Sequence, residues 1–251
     1  MVLFCADVLA TERSGAATTA AIYTPNIHAK SMTIPEAAGA SGNVVFIGGG
    51  GTYQSAYSNR PDGAIVFGYG LGNAQKLGVQ LMLNSLNMDK WDQYSFSAHV
   101  FRELNDYRAI GMGVESIPLT SGGDAPVSYY AVYSAGVQNR HFINKNDGHS
   151  KLCYSIGAGS GRFAYNSPVD VQNGKNIHGT YVFGSLAYEV AGAFNVISEW
   201  NGLNLNIGVS KTFWLPYGFP CSVIVGAADL TKYSGDRRRC IFGVGSALKL
   251  F

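Results

Sequence analysis

Charge is scarce in this chain: 14% of its 251 residues are Asp, Glu, Lys or Arg, and the formal net charge is +2. A soluble domain of this size usually displays more surface charge, and a polyanion partner needs a basic excess that is missing, so nucleic acid is not expected as a ligand. Long apolar runs are also missing. No stretch of eighteen apolar residues occurs, which excludes a transmembrane helix but not strands, because a strand crosses a bilayer with about ten alternating residues. The four cysteines, Cys5, Cys153, Cys221 and Cys240, form no C-x-x-C pair. Zinc and thiol-redox chemistry therefore have no spacing to rest on, and neither metal nor cofactor is expected. Cys221 and Cys240, on neighbouring expected strands, are the better candidates for a disulfide, with free thiols as the alternative.

What is abundant is glycine, tyrosine and phenylalanine, at 32, 15 and 13 residues. From Asn43 onward, glycine and small polar residues alternate with Leu, Ile, Val, Phe and Tyr, segment after segment. At a period of two, Ile65, Phe67, Tyr69 and Leu71 share one face and Gly68, Gly70 and Gly72 the other. Leu77, Val79, Leu81 and Leu83 oppose Gly78, Gln80, Met82 and Asn84; Leu203, Leu205, Ile207 and Val209 oppose Asn204, Asn206, Gly208 and Ser210. The outward face of a soluble sandwich would carry Lys, Glu and Thr. Here the non-apolar face is small and polar, which suits the inside of a narrow barrel whose apolar side chains meet lipid.

About twelve such segments run over 43–55, 63–73, 76–87, 93–104, 107–117, 127–138, 151–163, 179–190, 193–201, 203–213, 220–230 and 239–250. Turn formers such as Gly72-Asn73, Asn146-Asp147-Gly148 and Asn201-Gly202 separate them. The pattern predicts an all-β fold, a closed antiparallel up-and-down transmembrane barrel over residues 43–251. Residues 1–42, rich in Ala, Thr and Ser, lack the alternation and read as an N-terminal arm or lumen plug. Val2 to Ala10 are apolar apart from Asp7 but have no basic n-region, so they read as a signal-peptide remnant or an ordinary mature start. Tyr94, Tyr107, Trp200, Trp214 and Tyr217 fall near segment ends, where membrane-interface aromatics would sit.

The stretches Asp62-Gly63-Ala64, Gly68 to Gly72 with Gln75-Lys76, Ser95-Phe96 with His99, Gly113-Val114-Glu115, Gly161-Arg162-Phe163, Glu199 to Ser210, Ala228-Asp229-Leu230 and Phe242 to Gly245 together resemble a family of uncharacterised cyanobacterial-type outer-membrane proteins, over residues 43–248. The resemblance implies a barrel of the bacterial outer membrane without an established activity. Outer-membrane barrels commonly end in an aromatic residue in phase with the outward stripe. Here Phe251 is out of phase with Phe242, Val244, Leu248 and Leu250, and Leu248 matches the terminal aromatic position instead.

On the expected lumen face lie Glu115, Glu189, Glu199 and Asp229, with Arg102, Arg108, Arg162 and Lys211 as available cations and His99 on the same wall. Charges inside a barrel must be hydrated or paired, so these residues are expected to form a lumen polar network. Glu115 and Glu199 also suggest a catalytic carboxylate pair. Ser95, Ser97 and His99 share one strand face, as a serine and histidine of a barrel acyl hydrolase would, with Glu115 to orient the imidazole. His141, Asp147 and His149 occupy one loop and fit no metal template; they read as a solvated hairpin tip. Gly48 to Gly51 and the Gly68–Gly72 run mimic phosphate-binding loops but lie inside strands with no following helix. Arg237, Arg238 and Arg239 read as a charged turn. The function expected is passive, a narrow porin-like channel or a structural component, with outer-membrane lipids and small solutes as partners. Alternatives are a lipid-active hydrolase using Ser97 and His99, and a soluble lipid- or carbohydrate-binding β protein.

Overall fold

A computed structural model describes residues 30–53, 62–87, 92–105, 107–123, 125–145, 148–166, 168–175, 178–216, 219–233 and 237–250. It contains twelve strands: β1 (Val44–Tyr53), β2 (Asp62–Asn73), β3 (Leu77–Asn87), β4 (Asp92–Asn105), β5 (Arg108–Pro118), β6 (Ser128–Gly136), β7 (Leu152–Gly159), β8 (Val182–Ala191), β9 (Phe194–Trp200), β10 (Leu205–Trp214), β11 (Pro220–Ala228) and β12 (Arg239–Lys249). Each pairs antiparallel with its sequence neighbours, and β1 pairs with β12 from Val44↔Lys249 to Tyr53↔Cys240, so the sheet closes without an edge. Closure is what allows a sheet to face hydrocarbon, since every strand amide then has a partner. The expected segments match these strands to within a few residues, except that 161–163 is a 3-10 turn and a short helix, α1 (Pro168–Gln172), lies in the same connection.

The alternation sorts side chains as the period of two requires. Exposed large apolar residues occur on all twelve strands, among them Ile47, Phe67, Leu77, Val100, Met112, Tyr129, Ile156, Leu186, Val196, Ile207, Val225 and Phe242. Phe242, Val244, Leu248 and Leu250 form one exposed stripe. Buried positions between them carry Ser97, His99, Ser134, Ser155, Glu189, Asn206 and Ser210. A soluble β protein does the reverse, turning its large apolar side chains inward.

The two ends differ. Connections 74–76, 106–107, 192–193 and 215–219 are short and lie at the end where β1 begins and β12 stops; those at the opposite end include 119–127, 160–181 and 229–238. One connection on the first end, 137–151, is long.

Residues 31–40 are buried among inward-facing side chains. All three interior apolar clusters include them: Ala40 packs with Phe46, Val66 and Met82; Ile34, Ala37 and Ala38 with Tyr130, Val132, Phe163 and Phe183; Met32 with Ile197, Ala228 and Ile241. Residues 1–29 of the expected arm, with Cys5, lie outside the described residues, as do Tyr217, Asp147 and Phe251.

Glycine on the inner wall has a specific structural use. Phe46 faces Gly68, Phe101 faces Gly78, Tyr130 faces Gly113 and Phe183 faces Gly157, each as a direct cross-strand pair. In each pair the aromatic ring occupies the space a glycine Cβ would need. The missing side chain lets a ring lie flat against the neighbouring strand, which offsets the strand-weakening cost of glycine.

Candidate functional site

The lumen holds the candidate site, because the buried polar and ionisable residues of the strands converge there. Glu115 faces it in phase with Ala109, Gly111 and Gly113, and a bulge turns Ser116 inward beside it. Across β4 and β5, Ala98 pairs with Val114 and Phe96 with Ile117, so Ser97 opposes both Glu115 and Ser116. Ser116 takes φ +61°, and its N–H donates to Ser97 Oγ at 3.1 Å. Both bulged residues are buried, the re-aiming that bulges commonly produce. Arg162, beyond the end of β7, donates from Nε to Glu115 Oε2 at 2.6 Å and from Nη2 to Oε1 at 3.3 Å, a two-pronged pairing. Burial works to lower the Arg162 pKa, but the carboxylate of Glu115 more than compensates, and the net shift is upward. Its guanidinium carbon lies 4.4 Å from the Phe163 ring centroid.

A second, longer assembly begins at Arg239. Its Nε donates to Asp229 Oδ2 at 2.6 Å, and Asn204 Nδ2 donates to Asp229 Oδ1 at 3.1 Å. The Asp229 N–H donates to Asn206 Oδ1 at 2.9 Å, while Asn206 Nδ2 donates to Glu199 Oε1 at 2.9 Å. Glu199 in turn holds the inner segment. It accepts the Met32 N–H at 2.7 Å, the Thr33 N–H at 3.0 and 3.1 Å, and the Thr33 hydroxyl. Elsewhere the same segment is fixed by Ala37 N–H to Ser134 Oγ at 2.9 Å and Ala40 N–H to Gln80 Oε1 at 2.6 Å.

His99 is enclosed. Its ring stacks with Phe101 and Tyr130 at centroid separations of 5.4 and 5.7 Å. Nε2 lies 3.1 Å from Ala37 O and Nδ1 2.9 Å from Tyr130 Oη, so the imidazole donates to the carbonyl and accepts from the phenol. Glu189, near the end of β8 that lies beside the 137–151 connection, lies 2.7 Å from His149 Nε2 and accepts the Ala193 N–H at 3.1 Å.

The structure places Glu115, Glu189, Glu199, Asp229 and His99 on the inner face and brings them into separate groups: Glu115 with Arg162, Glu189 with His149, Glu199 joined to Asp229 through Asn206, and His99 with Tyr130 and Ala37. Several expectations are corrected. His149 is buried against Glu189 rather than at a solvated tip, whereas His141 in the same connection is exposed. Arg239, expected in a charged turn, is the partner of Asp229. Arg102 and Arg108 are exposed on the outer face, and Lys211 Nζ donates to the Gly192 carbonyl, so none of the three serves a lumen carboxylate among the described residues. Cys221 pairs with Ser246 and Cys240 with Ala227, which leaves the two thiols well apart along their strands and not joined to each other.

The hydrolase arrangement is not assembled. Ser97 Oγ accepts from Asn84 Nδ2 at 3.1 Å and from the Ser116 N–H, and both His99 nitrogens are engaged elsewhere. Glu115 is taken by Arg162 and Glu199 by the inner segment, so neither orients His99 and the two do not act on a common bond. Among the described residues no group of three or more His, Cys, Asp or Glu has the geometry to hold a metal ion.

No protein-family model matches the chain, and no curated protein matches its sequence. Among solved structures, the chain is similar to a KdgM porin in complex with disordered oligogalacturonate (TM-score 0.48, 10% identity, 83% of this chain and 99% of that one) and to another KdgM porin structure (TM-score 0.46, 12% identity, 81% and 98%). It is also similar to the outer membrane phospholipase A from Escherichia coli (TM-score 0.44, 10% identity, 83% and 98%).

Proposed function

We propose that this protein is an outer-membrane β-barrel with a passive, porin-like role: a narrow channel whose lumen residues 30–43 occupy as a plug. The observation that carries this reading is the inversion of side chains, with large apolar residues exposed on all twelve strands and carboxylates, amides and serines buried within. Such a wall is favourable against hydrocarbon and unfavourable against water. The end bearing the short connections is the periplasmic end in this reading, because barrels of this kind keep short turns there. The cyanobacterial-type resemblance belongs to the same proposal and rests on the order of the strand motifs.

A barrel of this strand number has room for little beyond its side chains and one inserted segment. The plug then sets conductance, and solutes that pass are small. The paired charges Glu115–Arg162 and Asp229–Arg239, together with Glu199, line the route that opens when the plug moves. The test is reconstitution. The folded protein is expected to insert into phospholipid vesicles, to show heat-dependent gel mobility, and to give small stepwise currents in a planar bilayer that change in Glu115→Gln. Monodisperse behaviour without detergent, with no insertion, would overturn the reading.

A further inference from the structure

We propose that the outer wall between β3 and β7 carries a binding site for an anionic phospholipid, with its acyl chain in an apolar groove and its phosphate on Arg102, Arg108 and Lys76. The inference rests on the membrane reading above and adds a specific lipid ligand to it.

The groove has a volume of about 480 Å³, and Leu77, Val100, Ile110, Met112, Tyr133 and Ile156 rise around Ala131. This size lies within the usual range of small-molecule sites. Its floor is low because Ala131, paired with Met112 on β5, is the small outward side chain of the lining.

The cations lie at one rim. Arg102 lines the groove itself, paired in register with Ile110. Arg108 stands two residues along the same face of β5, toward the end with the chain's short connections, and Lys76 directly precedes Leu77. All three are exposed. Arg102 Nε donates to Gln75 O at 3.1 Å, which holds the side chain at the rim. Among the described residues, none of the three forms an ion pair.

An arginine on the outward face of a membrane strand is unfavourable at depth and tolerated near the headgroups. Two arginines and a lysine clustered toward one rim match a phosphodiester, which guanidinium groups bind with paired hydrogen bonds. A hydrocarbon slot directly adjoining that rim matches the chain attached to the same phosphate. The chemistry selects a phospholipid with net negative charge over a zwitterionic one, because the latter brings its own cation to the same place.

The experiment is native mass spectrometry of the detergent-solubilised protein, titrated with phosphatidylglycerol or with phosphatidylcholine of the same acyl chains. Wild type is expected to retain phosphatidylglycerol at least fivefold better, the ratio that corresponds to about 1 kcal/mol, the contribution of a single surface cation. The preference should disappear in Arg102→Gln/Arg108→Gln, and retention of both lipids should fall in Ala131→Trp, which fills the groove. Lys249→Ala, at the same end of the barrel but away from the groove, should behave as wild type. Heat-dependent gel mobility establishes that each variant is folded. Equal retention of the two lipids by wild type, or an unchanged preference in the arginine variant, would overturn the site. Failure of wild type to insert into vesicles would instead overturn the membrane reading.

Discussion

The ring of Phe183 on β8 lies against Gly157, its direct partner on β7, and fills the space where a Cβ at that glycine would stand. A methyl group there would also come within 2.6 Å of the Ala131 carbonyl oxygen, which belongs to the β6 backbone and cannot rotate away. Gly157→Ala is therefore expected to destabilise the barrel by about 1–3 kcal/mol, the usual cost of overpacking. Gly192→Ala is the control, since a Cβ at that turn meets nothing within 4 Å. Urea unfolding of both variants in detergent, followed by gel mobility, checks the difference; equal midpoints would contradict the packing account.

Glu115 is fully buried and its cation is Arg162. Removing the arginine leaves a carboxylate with no compensating charge, so Arg162→Ala should cost about 3–5 kcal/mol, whereas Arg162→Ala combined with Glu115→Gln should recover a large part of that loss. The measurement is a double-mutant cycle on unfolding midpoints. Additive losses would show that the pair does not act as one unit.

How far these features could be read from the sequence depends on the distance over which each is determined. Strand positions and facing follow from local alternation, so the outward facing of Leu77 and Leu83, and the inward facing of Gln80 and Asn84, are legible from β3 alone. The inward position of Glu115, Glu199 and Asp229 was legible for the same reason. Their partners were not. The choice of Arg239 rather than Lys211 for Asp229, or of His149 for Glu189, is set by which connection folds over the barrel mouth, and no local period reports that. The glycine–aromatic pairs depend on the register between strands, which alternation within one segment does not supply. The bulge at Glu115 and Ser116 shifts the facing of the residues that follow, a departure that strict alternation cannot anticipate.

The Cys240 thiol is exposed, whereas Cys153 is buried. Maleimide treatment of the folded protein without reductant is expected to label Cys240 and to spare Cys153, with a peptide map as the readout. Labelling of Cys240 only after reduction would restore the disulfide that the strand register argues against.

Glu199 joins the barrel wall to the inner segment through two backbone amides and a hydroxyl, which makes it the principal electrostatic tie of residues 32–33. Hydrogen bonds to a charged acceptor are worth about 1.5–3 kcal/mol each, and replacing one carboxylate oxygen by an amide sets a donor against donors. In Glu199→Gln the amides of Met32 and Thr33 are expected to exchange with solvent about ten- to a hundredfold faster. Gly70→Ala attacks the same segment from the opposite side. A Cβ at Gly70 would meet the carbonyl of Ala40 and, at 2.5 Å, the Ser41 nitrogen, both of them backbone. It therefore pushes the segment off the wall without altering any charge. If residues 30–43 close the channel, both variants should raise planar-bilayer conductance, and Glu199→Gln should additionally change ion selectivity because it removes a lumen charge. Faster exchange without any rise in conductance would mean that the segment moves without opening a path, and the plug role would then fail while the barrel assignment stood.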